Sequence, residues 1–173
     1  MYLATHAALL FSEARYDEIV TLLEEARGEL EADTGSLWLD LAIAEAALAR
    51  GRPEKAEEAL AAYALEQPSA GPIIRAQATG FRAQIAAARG DAERAEEAFK
   101  QAAAAFREYG MPFNVARTQL EHAEWLVSVG RETEALPLVT EARETFERLR
   151  ATPWLERADA LAARVPSPAA VSA

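Results

Sequence analysis

Residues 49–60 read ARGRPEKAEEAL and residues 88–99 read ARGDAERAEEAF; eight of the twelve positions are identical at an offset of 39 residues. Self-similarity at a fixed period marks a chain built from repeated units, and it organises every later assignment. The anchors are Gly51, Gly90 and Gly130, spaced 39 and 40 apart. An alanine stands five residues after each glycine (Ala56, Ala95, Ala135), and another seven before it (Ala44, Ala83, Ala123). Leu60, Phe99 and Val139 follow four residues beyond the first set. A further copy lies near the start, where Ala14 takes the glycine's place, with Ala7 upstream and Ile19 and Leu23 downstream.

Each copy reads as two antiparallel helices. The first ends at the glycine, which suits the left-handed conformation of a helix stop. The second begins two or three residues later, and Pro53 fits an early helical position because its missing N–H is harmless there. Alanines at fixed points let two helix axes approach to about 8–10 Å. Larger residues such as Leu60, Phe99 and Phe106 then fill the space between successive pairs. A hairpin of this kind cannot bury its apolar face alone, so neighbours stack into a solenoid.

The expected helices lie near 2–12, 16–32, 36–49, 53–66, 72–88, 92–108, 112–128 and 132–149, with a ninth near 153–164. Turn chemistry separates the hairpins: ADTGS at 32–36, QPSAGP at 67–72, YGMP at 109–112 and ATP at 151–153. Pro137 falls near the first turn of its helix, where a modest bend is expected. No strand is expected. The close, VPSPAAVSA, has no periodicity and reads as a disordered tail over 165–173.

Composition narrows the function classes. The 173 residues amount to about one domain, and 51% are hydrophobic, so a packed core is within reach. There is no cysteine, which removes disulfides, thiolate metal sites and a cysteine nucleophile and fits the cytoplasm. No apolar run approaches the roughly 18 residues of a membrane span. The start, MYLATHAALLFSEARYDE, lacks a basic region and meets acidic residues early, so no signal peptide is expected. The net charge of −10, with no compensating basic stretch, disfavours direct nucleic-acid contact. A basic, apolar or mixed protein surface is the easier partner.

The order small residue, small residue, glycine turn, alanine, aromatic or aliphatic, alanine resembles the tetratricopeptide repeat (TPR). In the third copy it is carried by Ala83, Ala86, Gly90, Ala95, Phe99 and Ala102, and in the fourth by Ala123, Leu126, Gly130, Ala135, Val139 and Ala142. The second copy departs with Tyr63 at the last alanine, and the first lacks the turn glycine. The resemblance implies an all-α, right-handed superhelical solenoid of four TPR-like hairpins (about 2–32, 36–66, 72–108 and 112–149). A capping helix at 153–164 completes a repeat domain over 1–164.

Two stretches, GMPFNVARTQLEHAEWLVSVGR at 110–131 and FERLRATPWLERADAL at 146–161, resemble the helical tails of bacterial LuxR/MalT-type ATP-dependent regulators and ATPase-linked nucleotide cyclases. The matching residues are Ala116, Arg117, Leu120, Ala123, Leu126, Gly130 and Arg131, then Phe146, Leu149, Trp154, Arg157 and Ala158. Arg150 stands where such tails have a glycine.

Catalytic chemistry has little to work with. The two histidines, His6 and His122, make no metal-spaced pair, and no P-loop, GxGxxG, HExxH or GxSxG motif occurs. His122, beside Ala123, reads as a packed, hydrogen-bonded structural residue. Glu57-Glu58 and Glu96-Glu97 point about 100° apart on a helix and read as a solvated face rather than an acid–base pair. Glu96 with Lys100 and Glu144 with Arg148 are spaced for i,i+4 ion pairs. Trp125 and Trp154 read as structural, the latter covering the open end of the solenoid.

In the TPR register the first helix of each pair lines a concave groove, at Trp38, Leu41 and Glu45, then Gln77, Phe81 and Gln84, then Arg117, Glu121 and Glu124. That mixture suits an extended peptide or partner helix, with Trp38 and Phe81 reading alternatively as core. The lysines and asparagines with which some TPR domains grip chaperone tails are absent at the matching Ala4, Ala8, Ala42, Gln77 and Phe81.

The expectation is a non-enzymatic, cofactor-free protein–protein interaction scaffold: the regulatory helical tail of a larger transcriptional or signalling protein. Met1 at the edge of a repeat is where a domain cut would fall. The alternative is a free-standing adaptor that binds a peptide or pairs with a second copy through its open end as a homodimer.

Overall fold

What turns a repeated sequence into repeated hairpins is the way each helix stops. The computed structural model describes residues 16–29, 35–61 and 71–165, without the side chains of 27–29 and 35–38. Within them lie eight helices: α1 (Tyr16–Glu29), α2 (Gly35–Ala49), α3 (Pro53–Ala61), α4 (Pro72–Ala88), α5 (Ala92–Glu108), α6 (Pro112–Ser128), α7 (Glu132–Leu149) and α8 (Thr152–Ala162). There is no strand among the described residues. The helix expected near 2–12, the end of that expected to 66 and residues 166–173 lie outside the described residues. Val165, assigned to the tail, is buried just after α8.

Five helix ends share one geometry. Gly51, Gly90, Gly110, Gly130 and Arg150 take φ of 66°, 76°, 65°, 78° and 55°. At Gly90 the N–H donates to the Ala87 carbonyl (3.1 Å), and the Asp91 N–H donates to that of Ala86 (3.0 Å). The pair recurs at Gly130, from its own N–H to Val127 and from Arg131 to Leu126 (3.2 and 2.8 Å). This is the Schellman motif, which satisfies carbonyls that a helix end leaves open. Arg150 meets the same demand without being glycine: its N–H reaches Glu147 and that of Ala151 reaches Phe146 (3.1 and 2.9 Å). The sequence departure therefore keeps the turn and adds strain. Helix starts follow the complementary rule, with proline in the first turn of α3, α4, α6 and α8.

The chain forms two compact units, Met1–Ala95 and Glu96–Ala173, and the boundary falls inside α5. In the first, α2 packs on α1 and α3, and α4 packs on α2 and α3. Its core joins Ile19 and Leu23 of α1, Leu41 and Ile43 of α2, Leu60 of α3, and Phe81 and Ile85 of α4. In the second, α7 packs against α6 and α8, and α8 also touches α6. Phe99, Leu120, Val139 and Phe146 are its most deeply buried large side chains. Burying each such residue stabilises by about 1.5–3 kcal/mol.

The seam alanines behave as their spacing requires. Ala44, Ala56, Ala83, Ala95, Ala123 and Ala135 are all 0% exposed. A larger side chain at any of them has no room without moving a helix. Helix α7 runs unbroken through Pro137 from Glu132 to Leu149. Proline lacks the N–H that would reach Thr133, so one intrahelical bond is missing without ending the helix.

Open space surrounds the site a Cβ would occupy at Gly90, so the cost of a side chain there is purely conformational. Gly90→Ala should destabilise the chain by about 1 kcal/mol. Arg150→Gly should stabilise it by about 0.5–1 kcal/mol, because the αL strain disappears. Urea melts of the two variants beside the parent decide this; shifts of the same sign in both would contradict the shared-turn account.

Candidate functional site

The repeat builds a cleft at the same register in each unit. In the first, Leu60, Ala61, Ile85 and Ala86 line a space of about 420 Å³ among α3, α4 and the turn into α5. Arg82 lies on its wall and Arg89 on its rim. The Arg89 guanidinium donates to Glu57 Oε2 at 2.5 Å, which holds the Glu57 carboxyl below its ordinary range. Partial burial lowers the pKa of Arg82.

In the second unit the equivalent cleft, about 470 Å³, lies among α5, α6 and α7. Phe99, Leu126, Pro137 and Leu138 supply apolar walls, and Thr118, Gln119 and His122 line it from α6. His122 stands eight residues before Gly130, as Arg82 stands eight before Gly90. Its ring stacks on Phe99 (centroids 5.0 Å apart, planes 10° apart) and on Trp125 (5.7 Å, 22°). Burial pushes the imidazole down to about 4, so it is neutral at ordinary pH.

Two ion-pair groups close the rim. Glu96 accepts from Lys100 Nζ (2.5 Å) and Arg131 (2.8 Å), and these hydrogen bonds, Arg131's the larger, hold its carboxyl near pKa 2. Arg131 also grips Glu134 with two bonds of 2.6 Å and lies 5.8 Å over the Trp125 ring. At the other end Gln119 Nε2 donates to Glu141 (2.5 Å), with Arg107 3.6 Å from the same carboxylate.

The residues expected in a concave groove have different fates. Leu41 and Phe81 are 1% and 3% exposed and belong to the first unit's core, where apolar burial stabilises the fold, so they are not available to a ligand. Glu45, Gln77 and Gln84 are half-buried. The side chain of Trp38 lies outside the described residues, as does His6. Arg117, Glu121 and Glu124 come together on α6, where they meet the capping helix. Arg117 Nε donates to Glu121 (2.9 Å), and Arg157 of α8 grips Glu124 through two hydrogen bonds, one of 2.6 Å. Trp154 sits beneath both guanidinium groups, 5.4 Å from Arg117 and 5.1 Å from Arg157, and stacks on Phe146.

Sequence reasoning missed the polar stripe of Thr118, Gln119 and His122, all buried. Its signal was the spacing of Thr118, His122 and Leu126, which puts them on one face of α6. His122 is packed as expected, but its Nε2 has no hydrogen-bond partner. The Glu96–Lys100 pair forms, whereas Glu144 and Arg148 make none; Arg143 pairs instead with Asp159 (2.6 Å) and Glu147 (3.5 Å). Glu57 and Glu96, read as solvated, each clamp the arginine of the next copy's turn. No group of acidic and histidine side chains among the described residues could hold a metal ion.

No protein-family model matches the chain, and no curated protein sequence does. Its structure is similar to the crystal structure of nearly identical TPR-like repeats assigned to a kinesin light chain of Podosopora anserina. That match has a TM-score of 0.60 at 20% identity and covers 94% of both chains. A point variant of the same protein matches with a TM-score of 0.59, also at 20% identity and 94% of both chains. At such identity the likeness is one of fold, and the fold is that of TPR-like helical repeats. No helix among the described residues is long and apolar enough to cross a membrane.

The cleft predicts a pH dependence. A histidine in the unfolded chain takes its proton near 6.5, whereas His122 in the fold resists protonation down to about 4. The unfolded chain binds more protons across that window, so stability is whole above it and declines as pH falls through it. Glu96 adds a further decline between 4.5 and about 2. Replacing His122 by Phe should remove up to about 3 kcal/mol of the first decline. Urea unfolding of parent and His122→Phe at both ends of the window checks it; parallel losses would contradict it.

Proposed function

We propose that the chain is a non-catalytic protein–protein interaction scaffold, the regulatory helical tail of a larger bacterial transcriptional or signalling protein. The TPR-like fold carries the scaffold part of this reading, since such repeats present long helix faces that suit peptide or helix partners. The regulator part rests on the phrases at 110–131 and 146–161. Several of their residues pack together, with Leu120, Ala123 and Phe146 buried and the Trp154 ring close to both Arg117 and Arg157, which supports the reading of a closing unit. With a net charge of −10, the favoured partner surface is basic or mixed.

Immunoblotting of the source organism should reveal a band several times larger than 18.8 kDa. A band at that mass instead makes the chain an independent adaptor. The repeat should also retain its partner in affinity capture, and lose it when Glu45, Gln77 and Gln84 are all changed to alanine without a change in melting. Unaltered capture by that triple variant would move the interaction to another face.

A further inference from the structure

Of the six cations that line the two clefts, Arg82 alone has no counter-charge among the described residues. The other five are matched: Arg89 by Glu57, Arg94 by Asp91, Lys100 and Arg131 by Glu96, and Arg107 by Glu141. At the register of Arg82 the second unit carries the neutral His122. Both carboxylates that line the first cleft are committed elsewhere. Glu57 accepts from Arg89 at 2.5 Å, and Asp91 accepts from the Arg94 backbone N–H (3.3 Å) and so caps the start of α5. Three guanidinium groups against two carboxylates leave one positive charge over, on a side chain that solvent reaches. The surroundings of Arg82 withdraw part of its water without supplying an anion, and a charge in that position gains from a counter-ion.

The shape of the cleft narrows the choice of anion. Arg82, Ile85, Ala86 and Arg89 follow the spacing i, i+3, i+4, i+7 and form one stripe of α4. Glu57, Leu60 and Ala61 form the stripe that α3 contributes. The Glu57–Arg89 pair closes one end, and Arg82 stands about 10 Å from Arg89 along the helix axis. Between them the walls are the apolar side chains of Leu60, Ala61, Ile85 and Ala86. The volume, about 420 Å³, is that of a small-molecule site. One surplus charge matches a monoanion, and an apolar wall beside it suits an aliphatic stem. Glu54, outside the lining, acts on Arg89 and not on Arg82. At physiological salt, charges beyond roughly 8 Å are screened, so the chain's net charge of −10 does not cancel a local excess.

We propose that the cleft between α3 and α4 binds a small aliphatic monocarboxylate, with Arg82 as its recognition residue. A guanidinium presents parallel N–H groups that match the two oxygens of a carboxylate, which a lysine does not. The stem then lies against Leu60, Ala61, Ile85 and Ala86, in the direction of the Glu57–Arg89 pair. Because Arg82 is open to solvent, entry needs no rearrangement of the fold. The second unit's cleft, with His122 in place of the arginine and each cation paired, has no spare charge to offer the same ligand. The proposal is independent of the regulator reading.

The test uses the full chain, labelled with ¹⁵N, at about pH 6, where the carboxylate probes are ionised, and at constant ionic strength. It follows the Arg82 Nε–H signal and the backbone amides of Ile85 and Ala86. Hexanoate is titrated beside acetate, which keeps only the head, and hexanamide, which keeps the stem without the charge. N-acetylglutamate N-methylamide stands for an acidic side chain of a partner protein. A saturable shift is expected with hexanoate, about tenfold tighter than with acetate or hexanamide. Arg82→Met should weaken hexanoate about tenfold, and Arg82→Lys should weaken it less. Arg148→Met, which removes an exposed arginine from α7, should leave it unchanged. Acetate binding as tightly as hexanoate would mean an adventitious ion only, and equal binding of hexanamide would mean apolar contact without recognition. Either result, no saturable shift, or full affinity in Arg82→Met would overturn the proposal. So would tighter binding of the glutamate derivative, which assigns Arg82 to a partner's side chain. Should Arg82→Met fail to fold, the comparison of the probes on the parent chain still decides.

Discussion

A residue in left-handed backbone conformation at the end of a helix constrains this molecule more than any other feature. It reverses the chain over two residues while satisfying two open carbonyls, and it does so at Gly51, Gly90, Gly110, Gly130 and Arg150 alike. The alanines on either side of Gly51, Gly90 and Gly130 are all inaccessible. The seam depends on the turn, and the clefts depend on the seam. At Arg150 the backbone demand is met by a side chain that is ill suited to it, so the demand comes from the packing of α8 and not from the local residue.

Ion pairs set register on this frame without supplying much of its stability. Glu57 with Arg89 and Glu96 with Arg131 link a second helix of one copy to the turn of the next. Glu57–Arg89 is substantially exposed and Glu96–Arg131 part-buried, and pairs near the surface contribute about 0–1 kcal/mol. Their effect is geometric, tying a residue of one helix to the turn of the next at the edge of each cleft. At the closing end Arg157 and Glu124 act alike, and Trp154 shields the pair from water on one side. The residues expected to face a ligand on α6 are thereby committed to the cap.

Much of the architecture was legible in the chain because helix stops and seams are local. A glycine stop is read from one residue and its neighbours, and an alanine seam from spacing alone. Helices α4 to α7 accordingly fall where the periodicity put them. The site was less legible because facing is collective. Leu41 and Phe81 read as groove residues in the repeat register, yet neighbouring copies bury them. Gln119 looks like a surface residue until α7 is laid beside α6.

From its sequence alone this chain is a run of helical hairpins with a period of 39 or 40 residues, and that period also fixes where each helix must end. Backbone conformation and small-residue contacts act within a few residues, so they survive being read in one dimension. Which polar atoms would be buried without partners, and which charges would neutralise one another, was decided only when helices 30 or more residues apart came into contact, as the Glu57–Arg89 pair and the Glu96–Arg131 pair do. Hydrogen bonding and desolvation depend on three-dimensional neighbours, and those exist only in the folded repeat.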